Sequence, residues 1–507
     1  FLIEIARHLA GGGDGDLPES VREVIGRRLS RLTPAANEAL RVASIVGPEF
    51  SGAVAAAASG RPLAELVDAL DEAATSAIVE EVAGQIGRYR FSHDLIRQTL
   101  ALEVTATRRA HLHWDVGQAL LAEHTRDVAA IAHHLAEGVL AGDPLQAADA
   151  SLAAAAAAAA SAAWPEAVAD FDRALTLLDR TDRDQDDRLF RIHDGLHRAA
   201  RALGDHAAAS RAAADAITIA RDRGWGIRLA RIVLDMTLWR SYQRGLGEVG
   251  QLDLLDEALA TLELGHDAVR ARLMAQRSAV RCRITHHAAD HAAALREAEV
   301  AVGVADQTTD SIARLETRNA LGQLLAITGD SRRLLRVGRE MVELADALTI
   351  DASRHDILLF PLDAARLTAA ARIAGDPDVV AEGLARMERA FRETGVPYGR
   401  AMLLRFQAGN ALAAGKLAEA VDLAAEMVAA CPHDLNVALG EWDLQTAAAT
   451  IRGDLDLARA SLEDAIDRVG PAFPEMLFQL ASVLAADGDH ERAGAMYRDA
   501  LEAGIAW

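Results

Sequence analysis

Apolar positions along this chain recur almost everywhere at helical spacing. Val21, Val24, Ile25 and Leu29 fall on one helical face. Thr33 is a good N-cap and Pro34 suits the first helical position, so a helix is predicted from Pro34 to about Val46, stopped by Gly47-Pro48. A short helix follows near Gly52–Ala58. Another starts at Pro62, with Leu63, Leu66, Val67, Leu70 and Ala74 at helical intervals. Only one stretch reads otherwise. Ile78-Val79-Glu80-Glu81-Val82 and Arg88-Tyr89-Arg90-Phe91 flank a glycine-containing turn, which predicts a two-stranded wing. The order helix, helix, helix, hairpin is that of a winged helix.

From about residue 106 the pattern is helical only, and a turn signature begins to repeat. Gly204-Asp205 is followed by Ala209 and Ala216-Ile217, Gly453-Asp454 by Ala458 and Ala465-Ile466, and Gly488-Asp489 by Ala493 and Ala500-Leu501. Gly329-Asp330 carries Leu334 and Met341-Val342 at the same offsets, and Gly415 carries Ala420 and Met427-Val428. Ala289-Asp290 and Ala162 head degenerate copies. The spacing is that of a helix-pair solenoid. Glycine takes the left-handed turn after the first helix, aspartate caps the second, and a small residue five positions on lets the two helices approach. The predicted fold class is all-α, a small winged-helix module followed by a tetratricopeptide-like α-solenoid. The expected boundaries are a lid-helix end and linker at 1–16, the module at 17–105, connecting helices at 106–143, and about nine helix pairs over 144–507.

Composition sharpens this picture. Aromatic residues make up 4% of the 507, so the interior must be closed by alanine rather than by rings. The formal net charge is −22, and Lys416 is the single lysine. Such an acidic surface disfavours nonspecific contact with nucleic acid or anionic lipid. No apolar run reaches membrane-spanning length, and Cys282 and Cys431 are too far apart to suggest a disulfide framework, so the expected compartment is the cytoplasm. The chain opens on Phe1 in mid-helix, which reads as a fragment of a longer protein.

Candidate chemistry is sparse. His93-Asp94 sits at a helix start, where the carboxylate can satisfy orphan N–H groups and the imidazole is left to meet an anion. Trp225, Trp239, Tyr242 and Trp442 fall on first helices of pairs and are candidate anchors for a partner, against the plainer reading of inter-helix packing. Cys282, His286, His287 and His291 resemble a metal set, but the turn predicted near 287–290 splays the two pairs, so no metal is expected. His111 and His113 read as surface or packing residues. Gly409 to Leu417 is one residue too long between glycines for a P-loop and has Leu417 where Mg²⁺ needs a hydroxyl. The helix from Pro62 to Ala77 carries Glu65, Asp68, Asp71 and Glu72 and no base, which argues against DNA contact. No catalytic constellation stands out, and no enzyme activity or cofactor is expected within these residues.

The module also resembles a known family. Phe1-Leu2-Ile3-Glu4, the stretch from Leu17 to Ile25, Arg28-Leu29-Ser30-Arg31-Leu32, the heptapeptide Phe91 to Arg97, and Ala132-His133-His134-Leu135 resemble, in order, segments of bacterial STAND-type regulatory ATPases. The nearest match is the large ATP-binding LuxR-type regulators. The resemblance implies an upstream P-loop ATPase domain in cis that binds ATP or ADP, an inducer- or protein-sensing repeat array, and a separate output such as transcription. In related STAND ATPases a Met-His-Asp at this place reads the ADP phosphates. Ser92 stands here instead of the methionine, and His93 and Asp94 match. The alternatives are a nucleotide-independent repeat scaffold, or the sensor part of a signalling enzyme such as a nucleotide cyclase.

Overall fold

The computed structural model describes residues 25–505 except 126, 179–181, 204, 241–248, 285–287, 348–366, 370, 373–374, 395–396, 433–434 and 470–473. Residues 1–24, where the lid helix and linker are expected, lie outside that set. After a helical stretch at 25–29, α1 runs Pro34–Val46, β1 Glu49–Ser51, α2 Gly52–Ser59, α3 Leu63–Thr75, β2 Val79–Glu81, β3 Arg88–Phe91 and α4 Asp94–Glu103. Thr33 caps α1 as expected, its hydroxyl accepting from the Ala36 N–H at 3.2 Å. The same hydroxyl donates to Glu72 Oε2 at 2.6 Å, and the Thr33 N–H donates to Glu72 Oε1 at 2.7 Å, so α3 clamps the start of α1.

The sheet has one strand more than the predicted hairpin. The sheet order is β1-β3-β2, all antiparallel, with Phe50 opposite Tyr89 and Val79 opposite Phe91. Phe50 is 1% exposed and stacks on Tyr89 with centroids 5.8 Å apart. Three residues after Gly47-Pro48 are too few to show an alternating pattern, which is why β1 escapes the sequence reading. The core face of α3 is also turned slightly. Leu66 and Leu70 are buried with Ala69 and Ala73, while Leu63 is exposed. One core joins α1–α4, the sheet and Leu112, Val116 and Ala119 of the helix that follows.

Two connecting helices follow, α5 Ala106–Ala122 and α6 Val128–Glu137. The remaining helices pair antiparallel fashion along the chain: α7 Pro144–Ala160 with α8 Trp164–Thr176, α9 Asp186–Ala202 with α10 His206–Asp222, α11 Gly226–Arg240 with α12 Val249–Thr261, α13 Asp267–Ile284 with α14 Ala288–Asp306, and α15 Ser311–Thr328 with α16 Ser331–Asp346. Then come α17 Pro377–Thr394, α18 Pro397–Ala413 with α19 Leu417–Ala430, α20 Leu435–Arg452 with α21 Leu455–Val469, and α22 Pro474–Ala486 with α23 His490–Ile505. Among the described residues the array is thus all helix, the repeat architecture the turn signature predicts. By its contacts the chain divides into two compact units, Phe1–Ile192 and His193–Trp507.

The signature does the physical work assigned to it. Gly329, Gly415, Gly453 and Gly488 take φ of 78°, 74°, 78° and 90°. Asp205, Asp330, Asp454 and Asp489 cap the next helix, accepting from the N–H three residues on at 2.9 to 3.2 Å. Ala209, Ala420, Ala458 and Ala493, five residues after the glycine position, are all buried. Gly375-Asp376 is a further copy the sequence reading passed over, with Gly375 at φ 72°, Asp376 accepting from the Val379 N–H at 3.2 Å, and Val380 and Met387 buried at the two offsets. Val380 and Met387 fill the two offsets much as Leu334 and Met341 do after Gly329. The Ala289-Asp290 copy keeps its packing, with Ala294 and Ala301 buried at the two offsets, but its head residues are not a turn. Both residues lie in the first turn of α14, where Asp290 complements the helix dipole instead of heading a turn.

Ala162 occupies the glycine slot of its copy and takes φ 58°, a left-handed conformation costly for alanine. Ala162→Gly should therefore stabilise the chain by about 0.5–1 kcal/mol, the relief of strain exceeding the extra freedom of the unfolded glycine. A urea midpoint that falls instead of rising would contradict this.

Candidate functional site

The heptapeptide Phe91 to Arg97 closes the module. Phe91 ends β3 and is buried, and its N–H donates to the Pro48 carbonyl at 3.0 Å. Ser92 is fastened to the turn before β2. Its N–H donates to the Ile78 carbonyl at 3.0 Å, and its hydroxyl lies 2.9 and 3.1 Å from the carbonyl oxygens of Ala77 and Ile78. These bonds fix the backbone immediately before His93. His93 itself is extended, at φ −150° and ψ 132°, in the N-cap position of α4, and its side chain makes no capping bond. It is exposed, and its imidazole makes no hydrogen bond among the described residues.

Asp94 does not do what the sequence suggests. It opens α4, but its carboxylate binds side chains, accepting from Arg97 Nε and Gln98 Nε2, each at 2.6 Å. The Arg97 hydrogen bond is the main cause holding the Asp94 carboxyl below its usual range, with burial opposing it. Arg97 reaches on to the Ser44 carbonyl of α1 at 3.5 Å. Asp94 therefore orients Arg97 against α1, while the α4 N–H groups beside His93 keep no side-chain cap. An exposed imidazole at an uncapped helix start is suited to meet an anion.

The helix where DNA contact would fall, α3, presents Glu65, Asp68 and Asp71 to solvent, a surface that repels phosphate. Near α1 an open depression of about 760 Å³ is lined by Arg41, Arg61, Arg108, Glu38 and Glu103 among others. Glu38 pairs with both Arg41 and Arg108, and Glu103 with Arg41, so carboxylates already occupy Arg41 and Arg108.

The aromatic candidates separate. Trp225 lies one residue before α11 rather than on it, half-buried, with the Arg228 guanidinium carbon 4.1 Å from its ring centroid. Trp442 is 7% exposed and packs with Ala465 and Met476, which leaves it little surface for a ligand. The Trp239 side chain and Tyr242 lie outside the described residues, as do His286 and His287. Cys282 is buried in the core of α13–α16. Among the described residues no group of three His, Cys, Asp or Glu could hold a metal ion. The P-loop-like stretch runs from α18 through the Gly415 turn, and Lys416 pairs with Glu419 at 3.2 Å.

Sequence spacing missed a histidine cluster. His113 of α5, read from sequence as a surface or packing residue, lies with Nδ1 3.0 Å from Nδ1 of His134 on α6, and His133 stands edge-on to both rings. The two residues are 21 apart in sequence and meet only because α5 and α6 pack together. The Ala132-His133-His134-Leu135 run was the available signal.

No family model matches the chain, and no curated protein does. Among solved structures it is similar to a Signal Transduction ATPase with Numerous Domains (STAND) protein with a tetratricopeptide repeat sensor from Pyrococcus horikoshii, at 11% identity and a TM-score of 0.38. That match covers 98% of this chain and 66% of the other, so this chain spans about two thirds of that protein. It is also similar to a Rap protein complexed with competence and sporulation factor (13% identity, TM-score 0.45, covering 71% of this chain and 98% of that one). A third likeness is to the P58(IPK) TPR domain (13%, TM-score 0.18, covering 78% and 98%). With TM-scores below 0.5 these likenesses decide nothing about function. The helix-pair architecture stands on the chain's own turns and packing.

Proposed function

We propose that this chain is the regulatory and sensory segment of an ATP-dependent signal-transduction protein. The winged-helix module gates a nucleotide domain lying upstream in the same polypeptide, and the repeats bind an inducer or a protein partner. The observation that carries this reading is His93, exposed and without a hydrogen bond among the described residues at the uncapped start of α4, on a backbone fastened by Ser92. Such a group is half of an anion site, and the anion we assign to it is an ADP phosphate held by the upstream domain. ATP and ADP are thus ligands of the whole protein, with no cofactor in this segment. The order of the family-like segments supports the same reading. The proposed output is transcriptional regulation through a separate domain, in the cytoplasm, with no nucleic-acid contact by the acidic module. No helix among the described residues is long and apolar enough to cross a membrane.

In this scheme the resting state keeps His93 against ADP, and a ligand on the repeats drives exchange by binding the released state more tightly. The test is nucleotide retention by the His93→Ala variant of the full-length protein. A phosphate-reading histidine requires faster loss of ADP, whereas an ordinary helix-start residue requires none.

A further inference from the structure

We propose that the His113–His134 contact is an acid-releasable latch that holds α5 and α6 against the C-terminal end of α1. The inference does not rest on the nucleotide reading. His134 is 4% exposed, and its Nδ1 lies 3.0 Å from His113 Nδ1, so one proton must sit between the two nitrogens. The backbone of Val46, the last residue of α1, faces the same imidazole. A neutral ring has a single N–H, so of the two facing Nδ1 atoms one donates and the other accepts.

This arrangement closes only with the accepting ring neutral. A proton on its Nδ1 places two N–H groups head-on and charges a buried ring. Burial is the main cause that lowers both groups, His113 to about 4 and His134 to about 3. Around the pair, His133 of α6 and Arg109 of α5 oppose positive charge on His113, and Glu137 of α6 favours it. On His134 the opposing groups are His113 and His133, while the Val46 backbone of α1 favours the charge. Histidines whose folded pKa is depressed stabilise the closed form above the unfolded value of 6.5, and that stability is lost as pH falls from 6.5 toward 4. Opening that frees both rings therefore takes up two protons, and its equilibrium constant rises about a hundredfold between pH 7.5 and 5.5.

The experiment is hydrogen exchange of the 507-residue chain at pH 7.5 and 5.5, corrected for intrinsic rates. It is read in the segments around Val46, His113 and His134 against β2 and β3. The expected result is a hundredfold loss of protection in the three segments together and none in the strands. His113→Asn keeps a donor near the Nδ1 position and removes one titrating ring, so its loss should shrink to about tenfold. His134→Gln, which also removes one titrating ring, should do the same. A uniform response along the wild-type chain, or an unchanged hundredfold loss in either variant that folds, would overturn the latch. If both variants fail to fold, the wild-type comparison between the three segments and the strands still decides.

Discussion

Replacing Arg272 with alanine should destabilise the helix pairs around it by about 3–5 kcal/mol. Arg272 of α13 holds Glu316 of α15 in a two-pronged pair, Nε to Oε2 at 2.6 Å and Nη2 to Oε1 at 2.8 Å. Its partner is the reason for the size of the effect. The Glu316 side chain is 2% exposed and that of Arg272 14%, so removing the arginine takes the two-pronged partner from a carboxylate that water cannot reach. A pair such as Arg392–Glu388, with side chains 68% and 52% exposed, should by contrast be worth under about 1 kcal/mol. Replacing both partners together, as Arg272→Met with Glu316→Leu, should recover most of the loss, because the buried carboxylate is then removed with its cation. Urea unfolding of the single and double variants measures this. A single-variant loss below about 1 kcal/mol would mean that Glu316 is solvated and the two first helices are not cross-tied there.

The second large effect is expected at Gly138, in the turn that ends α6. A Cβ on Gly138 would lie 2.4 Å from the Trp114 backbone nitrogen, 2.7 Å from its Cα and 2.9 Å from the Ala110 carbonyl oxygen. All three are backbone atoms of α5, which cannot swing aside as a side chain can. Gly138→Ala must push α5 and α6 apart, and should cost about 3 kcal/mol, at the upper end of overpacking effects. Gly303 provides the control. It is exposed within α14 with nothing within 4 Å of its Cβ position, so Gly303→Ala should stabilise the chain by about 0.5–1 kcal/mol. Opposite shifts in the urea midpoint are the expected result. Equal or same-signed shifts would show that the α5–α6 approach is looser than 2.4 Å implies.

What could be read from the sequence follows from how local each signal is. Thr33-Pro34 at the start of α1 and the Gly-Asp turns are contained within a few residues, and each forms where its residue types predict. The strand β1 is three residues long and exists because Phe50 meets Tyr89 across the sheet, a pairing 39 positions away that no window along the chain contains. The site divides in the same way. The helix start at His93-Asp94 was legible, whereas the partners of Asp94 were not. Capping and side-chain bonding compete for that carboxylate, and Arg97 and Gln98 win because both lie within one turn on the same face. The His113–His134 contact and the Arg272–Glu316 pair are entirely tertiary, since each joins separate helices.

The same reasoning explains an array so poor in rings and in lysine. Alanines at the packed offsets bring helices close, and arginine ties neighbouring helices through carboxylates on both sides. Arg277 joins Asp256 of α12 at 2.7 Å and Glu297 of α14, and Arg318 joins Asp306 of α14 at 2.8 Å and Glu340 of α16 at 2.9 Å. A planar guanidinium can serve two carboxylates at once in a way that suits this ladder better than an ammonium.

The measurement that bears most directly on the proposed function is the dissociation of fluorescent ADP from the full-length protein, wild type against His93→Ala, chased with unlabelled nucleotide. Loss of a phosphate contact worth about 1.5–3 kcal/mol predicts release at least about tenfold faster, with unchanged helicity. Release within about twofold of wild type would contradict the account, leaving His93 a residue at a helix start and the module a gate for something other than nucleotide.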